Sequence, residues 1–178
     1  MSQTFLDENP PMILDATCST KKIWPRFASL RMDIKREVKP DVCASATHLP
    51  FRDGIFQEIY CDPPHVVGHQ YWIFSELHRQ EGYDRFGAWD SLDQWFMFLE
   101  HVNIEAARCL ELDGLLHFKV LDGAESHRKE RIQFKDLIRL TNFESARPPK
   151  RVKSGIGNRY GLSTVVFATY RLTMRPKP

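Results

Sequence analysis

Gln57-Glu58-Ile59-Tyr60-Cys61-Asp62-Pro63-Pro64-His65 is the stretch on which the reading of the whole chain turns. A strand-forming run of Ile, Tyr and Cys stops at an acid. Two prolines then forbid any continuation of the ladder, because neither has a backbone N–H to donate and each fixes φ. The stiff corner holds the Asp62 carboxylate, the carbonyl oxygens around it and the flat His65 ring in fixed relation. It would lie at the carboxyl end of a strand, where open α/β sheets bind their ligands. Asp-Pro-Pro alone is also ordinary strand-exit chemistry, so its meaning depends on what lies on either side.

Upstream, Met12-Ile13-Leu14 is a short apolar run that ends at Asp15 and gives way to the small residues Ala16, Thr17, Cys18 and Ser19. A buried parallel strand feeding a loop of small side chains suits close approach to a ligand. Ala28 to Met32 predicts a second strand ending at Asp33. That acid falls about 18 residues after Asp15, near the roughly 20-residue separation at which a second-strand acid reaches a ribose hydroxyl. Pro40 to Ala44 reads as a third strand, and the loop after it is pinned by Leu49 and Phe51 and turned at Gly54.

Downstream, residues 66–94 mix Tyr71, Trp72, Phe74, Tyr83, Phe86 and Trp89 with charged residues and lack a clean helical period. This is the composition of a lid or substrate-facing insert, although aromatics packing a helix on the sheet would look similar. Ser91-Leu92-Asp93-Gln94 opens a helix whose apolar residues Trp95, Phe98, Leu99, Val102, Ala106 and Cys109 recur at helical spacing. Leu115 to Leu121 is a fifth strand, residues 126–140 a more charged second helix, and residues 162–172 an edge strand or antiparallel pair. Between those last two, residues 146–161 carry Arg147, Lys150, Arg151, Lys153 and Arg159 with no acid. They read as a basic loop that tracks phosphates, or as a solvated surface loop.

Composition bounds the rest. The 178 residues, 42% hydrophobic and 12% aromatic, suffice for one domain with a substantial core, and the net charge of +2 says little by itself. Cys18, Cys43, Cys61 and Cys109 are widely spaced, unlike zinc ligands, so no metal site is expected and all four read as reduced core thiols. No run approaches the ~18 apolar residues of a membrane span, and the first residues lack a secretory pattern. The expectation is a soluble cytoplasmic protein.

In order, Ile13-Leu14-Asp15-Ala16-Thr17-Cys18, Asp33, Leu49-Pro50-Phe51 with Asp53-Gly54, Asp62-Pro63-Pro64-His65, and Cys109-Leu110 through Asp113-Gly114 into Phe118-Lys119 resemble the class I S-adenosylmethionine-dependent methyltransferases. The likeness is greatest to the group with an Asp-Pro-Pro-aromatic corner, which includes nucleic-acid amino-methyltransferases and small phage-type enzymes with Asp-Pro-Pro-His. It spans about Met12 to Tyr170. The resemblance implies a Rossmann-like α/β fold: a mostly parallel central sheet with an antiparallel C-terminal strand and helices on both faces. It also implies S-adenosylmethionine as cofactor. Asp15, Ala16, Thr17 and Ser19 would hold its methionine part, Asp33 its ribose, and Ser45, Ala46 and Thr47 would border the adenine. Asp62 and the Pro63 carbonyl would accept hydrogen bonds from a target amino group, and His65 would stack on the base.

Three functions follow from these residues. The first is methylation of an exocyclic amine of adenine, cytosine or guanine in a single-stranded or flipped state, with Lys119, Lys150, Arg151 and Lys153 toward the nucleic-acid substrate. No separate target-recognition domain is expected in these 178 residues, so selectivity would rest on the insert, the basic loop, a second subunit of a homodimer or a partner protein. The second is RNA ribose 2′-O-methylation, with Asp62 and Lys119 on adjacent strand ends. A third is a non-catalytic nucleic-acid-binding protein on a degenerate methyltransferase fold, suggested by Ser19 and Lys21 where the family usually carries glycine.

Overall fold

The computed structural model describes residues 11–18, 28–64, 89, 91–122, 138–153 and 164–174. Seven strands form one sheet: β1 (Ile13–Asp15), β2 (Leu30–Asp33), β3 (Val42–Cys43), β4 (Phe56–Cys61), β5 (Leu110–Asp122), β6 (Phe143–Lys153) and β7 (Thr164–Leu172). Their spatial order is β3-β2-β1-β4-β5-β7-β6. The first five run parallel, and β7 lies antiparallel to both β5 and β6. This is the Rossmann-like, mostly parallel sheet expected from the sequence. The chain starts in the middle of the sheet, steps outward to one edge through β2 and β3, and returns to β4 on the other side of β1.

Among the described residues an 18-residue α-helix, α1 (Leu92–Cys109), covers one face of the sheet. It starts where the sequence places it, because the Ser91 hydroxyl accepts the Gln94 N–H at 3.3 Å and satisfies one of the free donors of the first turn. Trp95, Leu99, Val102, Ala106 and Cys109 are buried along one stripe, against Phe56, Ile59, Leu116, Phe118 and Val166 of the sheet. Each fully buried Leu or Phe among them contributes about 1.5–3 kcal/mol. No helix among the described residues is long and apolar enough to cross a membrane.

Four expectations change. The basic segment is not a loop throughout: Ala146 to Lys153 belongs to β6, paired along β7, while residues 154–161 lie outside the described residues. Pairing with β7 overrides the poor strand propensity of Pro148 and Pro149, which an edge strand tolerates because its outer N–H groups need no partner. Of residues 162–172, Thr164–Leu172 form a single interior strand, and the outer member of the pair is the basic segment. β5 starts at Leu110 rather than Leu115. Its register jumps from Phe56↔Leu110 to Glu58↔Leu115, so the turn at Asp113 (φ 64°) and Gly114 is absorbed as a bulge within the ladder. Cys43 is exposed, unlike the buried Cys18, Cys61 and Cys109, because β3 is an edge strand with little packed over it.

The second helix at residues 126–140 lies outside the described residues except for 138–140, which are not helical. Of the insert at 66–94, Trp89 and the start of α1 are described.

A polar clasp closes the far side of α1. The buried Asn103 side chain accepts the Asn142 N–H at 3.0 Å and donates to Asn142 Oδ1 at 2.6 Å and Thr141 Oγ1 at 3.2 Å, while Asn142 Nδ2 donates to the Met174 carbonyl at 2.8 Å. Replacing Asn103 with Ala strands the buried Asn142 N–H. The expected loss is about 1–3 kcal/mol, read as a lower urea midpoint at an unchanged slope.

Candidate active site

Between β1 and β4 the order of the sheet reverses, and in open α/β sheets the crevice beyond the carboxyl ends of such a pair is where ligands bind. Three acids collect there. Asp15 is the last residue of β1, Asp33 the last of β2, and Asp62 directly follows β4. The turn after β1 is stitched to both neighbours: Ala16 N–H donates to the Tyr60 carbonyl and Cys18 N–H to the Met32 carbonyl, each at 2.9 Å. Thr17 joins all of this to the corner. Its N–H donates to Asp15 Oδ1 at 3.3 Å, and its hydroxyl oxygen accepts the Asp62 N–H at 2.6 Å. Ala16 and Cys18 are buried, which keeps the turn thin.

The Asp15 carboxyl is pushed from 3.8 up to about 6, chiefly by burial; the Thr17 N–H opposes the rise, the Asp62 charge adds to it, Arg31 opposes it and Asp33 adds to it. Asp62 is held differently. Lys119 Nζ, from the neighbouring strand β5, donates to Asp62 Oδ2 at 2.7 Å, with side chains 13% and 5% exposed. A charge-assisted bond this short between two largely buried groups fixes where the carboxylate points. Pro63 is fully buried, and the Pro64 carbonyl accepts the Trp89 indole N–H at 3.0 Å. Trp89 in turn packs on Phe98 and Trp95, with ring centroids 4.8 and 5.9 Å away. This aromatic of the expected insert thus ties the corner to α1.

Asp33 Oδ1 accepts the Lys35 N–H at 2.9 Å, and its carbonyl accepts the Ala44 N–H at 3.1 Å. The chain after β3 is thereby held against the end of β2. Ser45 and Thr47 share a hydroxyl–hydroxyl bond of 2.8 Å, the Thr47 N–H donates to Ser45 Oγ at 3.2 Å, and Ala46 is buried beneath them.

The structure thus brings Asp15, Ala16, Thr17, Asp33, Ser45, Ala46, Thr47, Asp62, Pro63 and Lys119 to one end of the sheet, whereas Ser19, Lys21 and His65 lie outside the described residues. The basic residues divide. Lys150 pairs with Phe167 and Phe167 with Lys119, which puts Lys150 on the face that carries Lys119 and Asp62; Arg151 pairs with Val166 and points to the α1 side. Lys153 pairs with Thr164 at the end of the ladder. Arg147 joins Lys150 on its face because a register shift between them, at Pro148-Pro149, adds a residue to β6.

A buried polar row was not anticipated from the sequence. Glu58 Oε2 accepts the Tyr60 hydroxyl at 2.6 Å and lies 3.0 Å from His117 Nε2, whose Nδ1 lies 3.1 Å from Thr169 Oγ1; Arg147 Nε donates to that hydroxyl at 2.9 Å. Tyr60 and His117 stack at 4.2 Å. The period-2 spacing of Glu58, Tyr60 and Asp62, and of His117 and Lys119, was the signal that could have placed them on one face. Among the described residues no group of three or more His, Cys, Asp or Glu is arranged to hold a metal ion.

No protein-family model matches the sequence, and no curated protein matches it. Solved structures do match. A SAM-dependent methyltransferase from Methanosarcina mazei is 14% identical, with 92% of each chain covered and a TM-score of 0.53. A SAM-dependent methyltransferase from Thermotoga maritima is 15% identical over 92% of this chain and 82% of that one, with a TM-score of 0.52. Geranyl diphosphate C-methyltransferase from Streptomyces coelicolor A3(2), solved with geranyl diphosphate and S-adenosyl-L-homocysteine, is 12% identical over 92% and 71%, at 0.51. At these identities the likeness is one of fold.

Proposed function

We propose that this chain is an S-adenosylmethionine-dependent methyltransferase that acts on an exocyclic amino group of a nucleic-acid base: adenine N6, cytosine N4 or guanine N2. One observation carries the proposal: Asp15, Asp33 and Asp62 converge on a thin, hydrogen-bonded turn at the point where the sheet reverses its order. A cofactor with an ammonium, a sulfonium and a ribose suits that donor set. Asp15, raised to about 6, regains its charge most readily beside a cation. Asp33 is set to accept from ribose hydroxyls, and Ser45 to Thr47 to border the adenine. The fold shared with methyltransferases from several organisms agrees with this assignment.

The cofactor, when bound, supplies an electrophilic methyl group; the chain has to align the acceptor. Asp62, clamped by Lys119 and by Thr17, is a stiff hydrogen-bond acceptor for one N–H of the amine, and the carbonyl of the buried Pro63 serves as a second. Two acceptors favour the pyramidal amine whose lone pair points out of the base plane. His65 would stack on the base. A nucleic-acid substrate is supported by Arg147 and Lys150, which share the face of Asp62. Three strand spacings separate Lys150 from Asp62, a path of about 14 Å along which phosphates can be followed.

The Lys119–Asp62 contact at 2.7 Å favours a second reading, ribose 2′-O-methylation, in which the pair would receive a sugar hydroxyl and its proton. Calorimetry with S-adenosylmethionine and S-adenosylhomocysteine, followed by transfer from labelled cofactor to mixed RNA and DNA and digestion to nucleosides, tests both. A labelled base supports the first reading and a labelled ribose the second. Cofactor binding without label in any polymer removes nucleic acid as the substrate. Asp33→Ala should weaken cofactor binding roughly tenfold, from lost hydrogen bonds of about 1–2 kcal/mol. Unchanged affinity would put the nucleoside elsewhere.

A further inference from the structure

The segment between β3 and β4 has two parts. Its first residues, Ala44 to Thr47, lie against the end of β2, where the proposed nucleoside pocket is. The second part, Leu49 to Asp53, is gripped from behind by two α1 side chains more than fifty residues away in sequence. Arg108 uses its whole donor fork: Nε to Glu105 Oε1 at 3.0 Å, Nη1 to the Phe51 carbonyl at 2.7 Å and Asp53 Oδ1 at 2.8 Å, and Nη2 to the Leu49 carbonyl and Glu105 Oε2, both at 2.8 Å. Glu105 Oε2 also accepts the Leu49 N–H at 2.8 Å. Both backbone groups of Leu49 are therefore held by one ion pair, and Leu49 itself is buried. Gly54 N–H and Ile55 N–H then bond the carbonyls of Arg108 and Cys109 at 2.9 and 2.8 Å, which zips the rest of the loop to the end of α1.

We propose that Arg108 and Glu105 are positioning residues for the nucleoside pocket: by fixing Leu49 and Phe51 they set where Ser45, Ala46 and Thr47 stand relative to Asp33. The proposal rests on the cofactor assignment made above. His48 N–H bonds the Ser45 carbonyl at 2.9 Å, so a single tight turn separates the clamped residue from the pocket residues. Any slip of Leu49 is passed directly to Thr47. Burial of Leu49 alone would resist such a slip weakly, since an apolar contact is not directional, whereas three bonds from one planar group to Leu49, Phe51 and Asp53, with the Leu49 N–H held by Glu105, define a single register. Arg108→Lys keeps the charge but offers three donors from a point, too few for the Leu49 and Phe51 carbonyls, Asp53 Oδ1 and both Glu105 carboxylate oxygens.

The test compares Arg108→Lys with Asn103→Ala, which loosens α1 at the separate clasp with Asn142 and Met174. Thermal stability is measured for both, and affinity for S-adenosylhomocysteine is read by calorimetry well below the melting temperature. Arg108→Lys should weaken that affinity about tenfold, through about 1.4 kcal/mol of displaced contacts. In turnover it should raise KM for the methyl donor and leave kcat at saturation near the wild-type value. Asn103→Ala should leave affinity unchanged. Equal affinity in wild type and Arg108→Lys, or an equal loss in both variants, would reduce the clamp to a stability feature and overturn the proposal. Wild-type protein that binds no S-adenosylhomocysteine would overturn the cofactor assignment itself, a result distinct from either.

Discussion

Under the proposed function, Asp62→Asn should reduce methyl transfer on the order of 10²–10³-fold, the size of effect found when one preorganised hydrogen-bonding group is removed from a reacting centre. The substitution keeps the shape of the corner and leaves its N–H bond to Thr17 available, but it replaces a fixed double acceptor with an amide that must offer its oxygen to either Lys119 or the substrate. It also strands the Lys119 ammonium, 13% exposed, so the fold should lose stability too. Lys119→Met is the converse case: Asp62 is left buried without its cation, its proton affinity rises, and activity should recover with rising pH as the carboxylate is forced to ionise. The pair with both changes separates stability from chemistry, since swapping a buried ion pair for apolar or neutral groups is often near neutral for folding. Its melting temperature should exceed that of either single variant, while transfer stays as low as in Asp62→Asn. Recovery of transfer in the double variant would show that Asp62 does not touch the acceptor.

Asp15→Asn should make the unliganded protein more stable at pH 8 by about 3 kcal/mol, the linkage value of a carboxyl whose pKa is 3.8 unfolded and about 6 folded. The sign follows from proton counting. Below about pH 4 both states are protonated and the buried group costs nothing. Between about 4 and 6 the unfolded chain ionises first, so wild-type stability falls as pH rises; above about 6 the full cost is present and constant. Asn can still accept the Thr17 N–H without carrying the charge. The gain should therefore stay constant from pH 8 to about pH 6 and then shrink as urea titrations are repeated down to pH 4. A gain independent of pH would mean that Asp15 is not the titrating group. Under the proposed function the same variant should gain less stability than wild type from added S-adenosylmethionine, because the cation no longer meets an anion.

Much of this candidate site is legible in the sequence. Asp15, Asp33 and Asp62 each end an apolar run, and apolar runs that stop at acids are what strands entering a crevice look like. Ser91 and Gln94 marked the start of α1 because capping is chemistry between near neighbours. What escaped was non-local. Arg108 reads as one more charge on a helix, and its Glu105 partner at i−3 as a routine surface pair, until Leu49 and Phe51 are seen beneath them. The strand nature of Arg147 and Lys150 was hidden for the same reason: Pro148-Pro149 argues for a loop by every local rule, and pairing with β7 decides otherwise. Trp89 looked like part of a substrate-facing surface because its composition is that of one, yet a single bond to the Pro64 carbonyl gives it a place in the wall.

The two ends of the sheet differ in length but share a property that bears on how the molecule meets its neighbours in solution. At one end β3 is two residues long, too short to template a further strand. The long outer strand at the other end would be an aggregation hazard if it were flat and apolar, because a row of unpaired amides invites a strand from another molecule. Pro148 and Pro149 bring no amide donor to that strand, the register shifts on either side of Arg147 twist the ribbon, and exposed Arg147, Lys150 and Arg151 repel a like-charged copy. Both margins therefore disfavour backbone pairing with another molecule. The same cations that would draw in a polyanion thus keep the folded chains from one another, and concentrated protein should stay dispersed at low salt and begin to self-associate only when salt screens that repulsion.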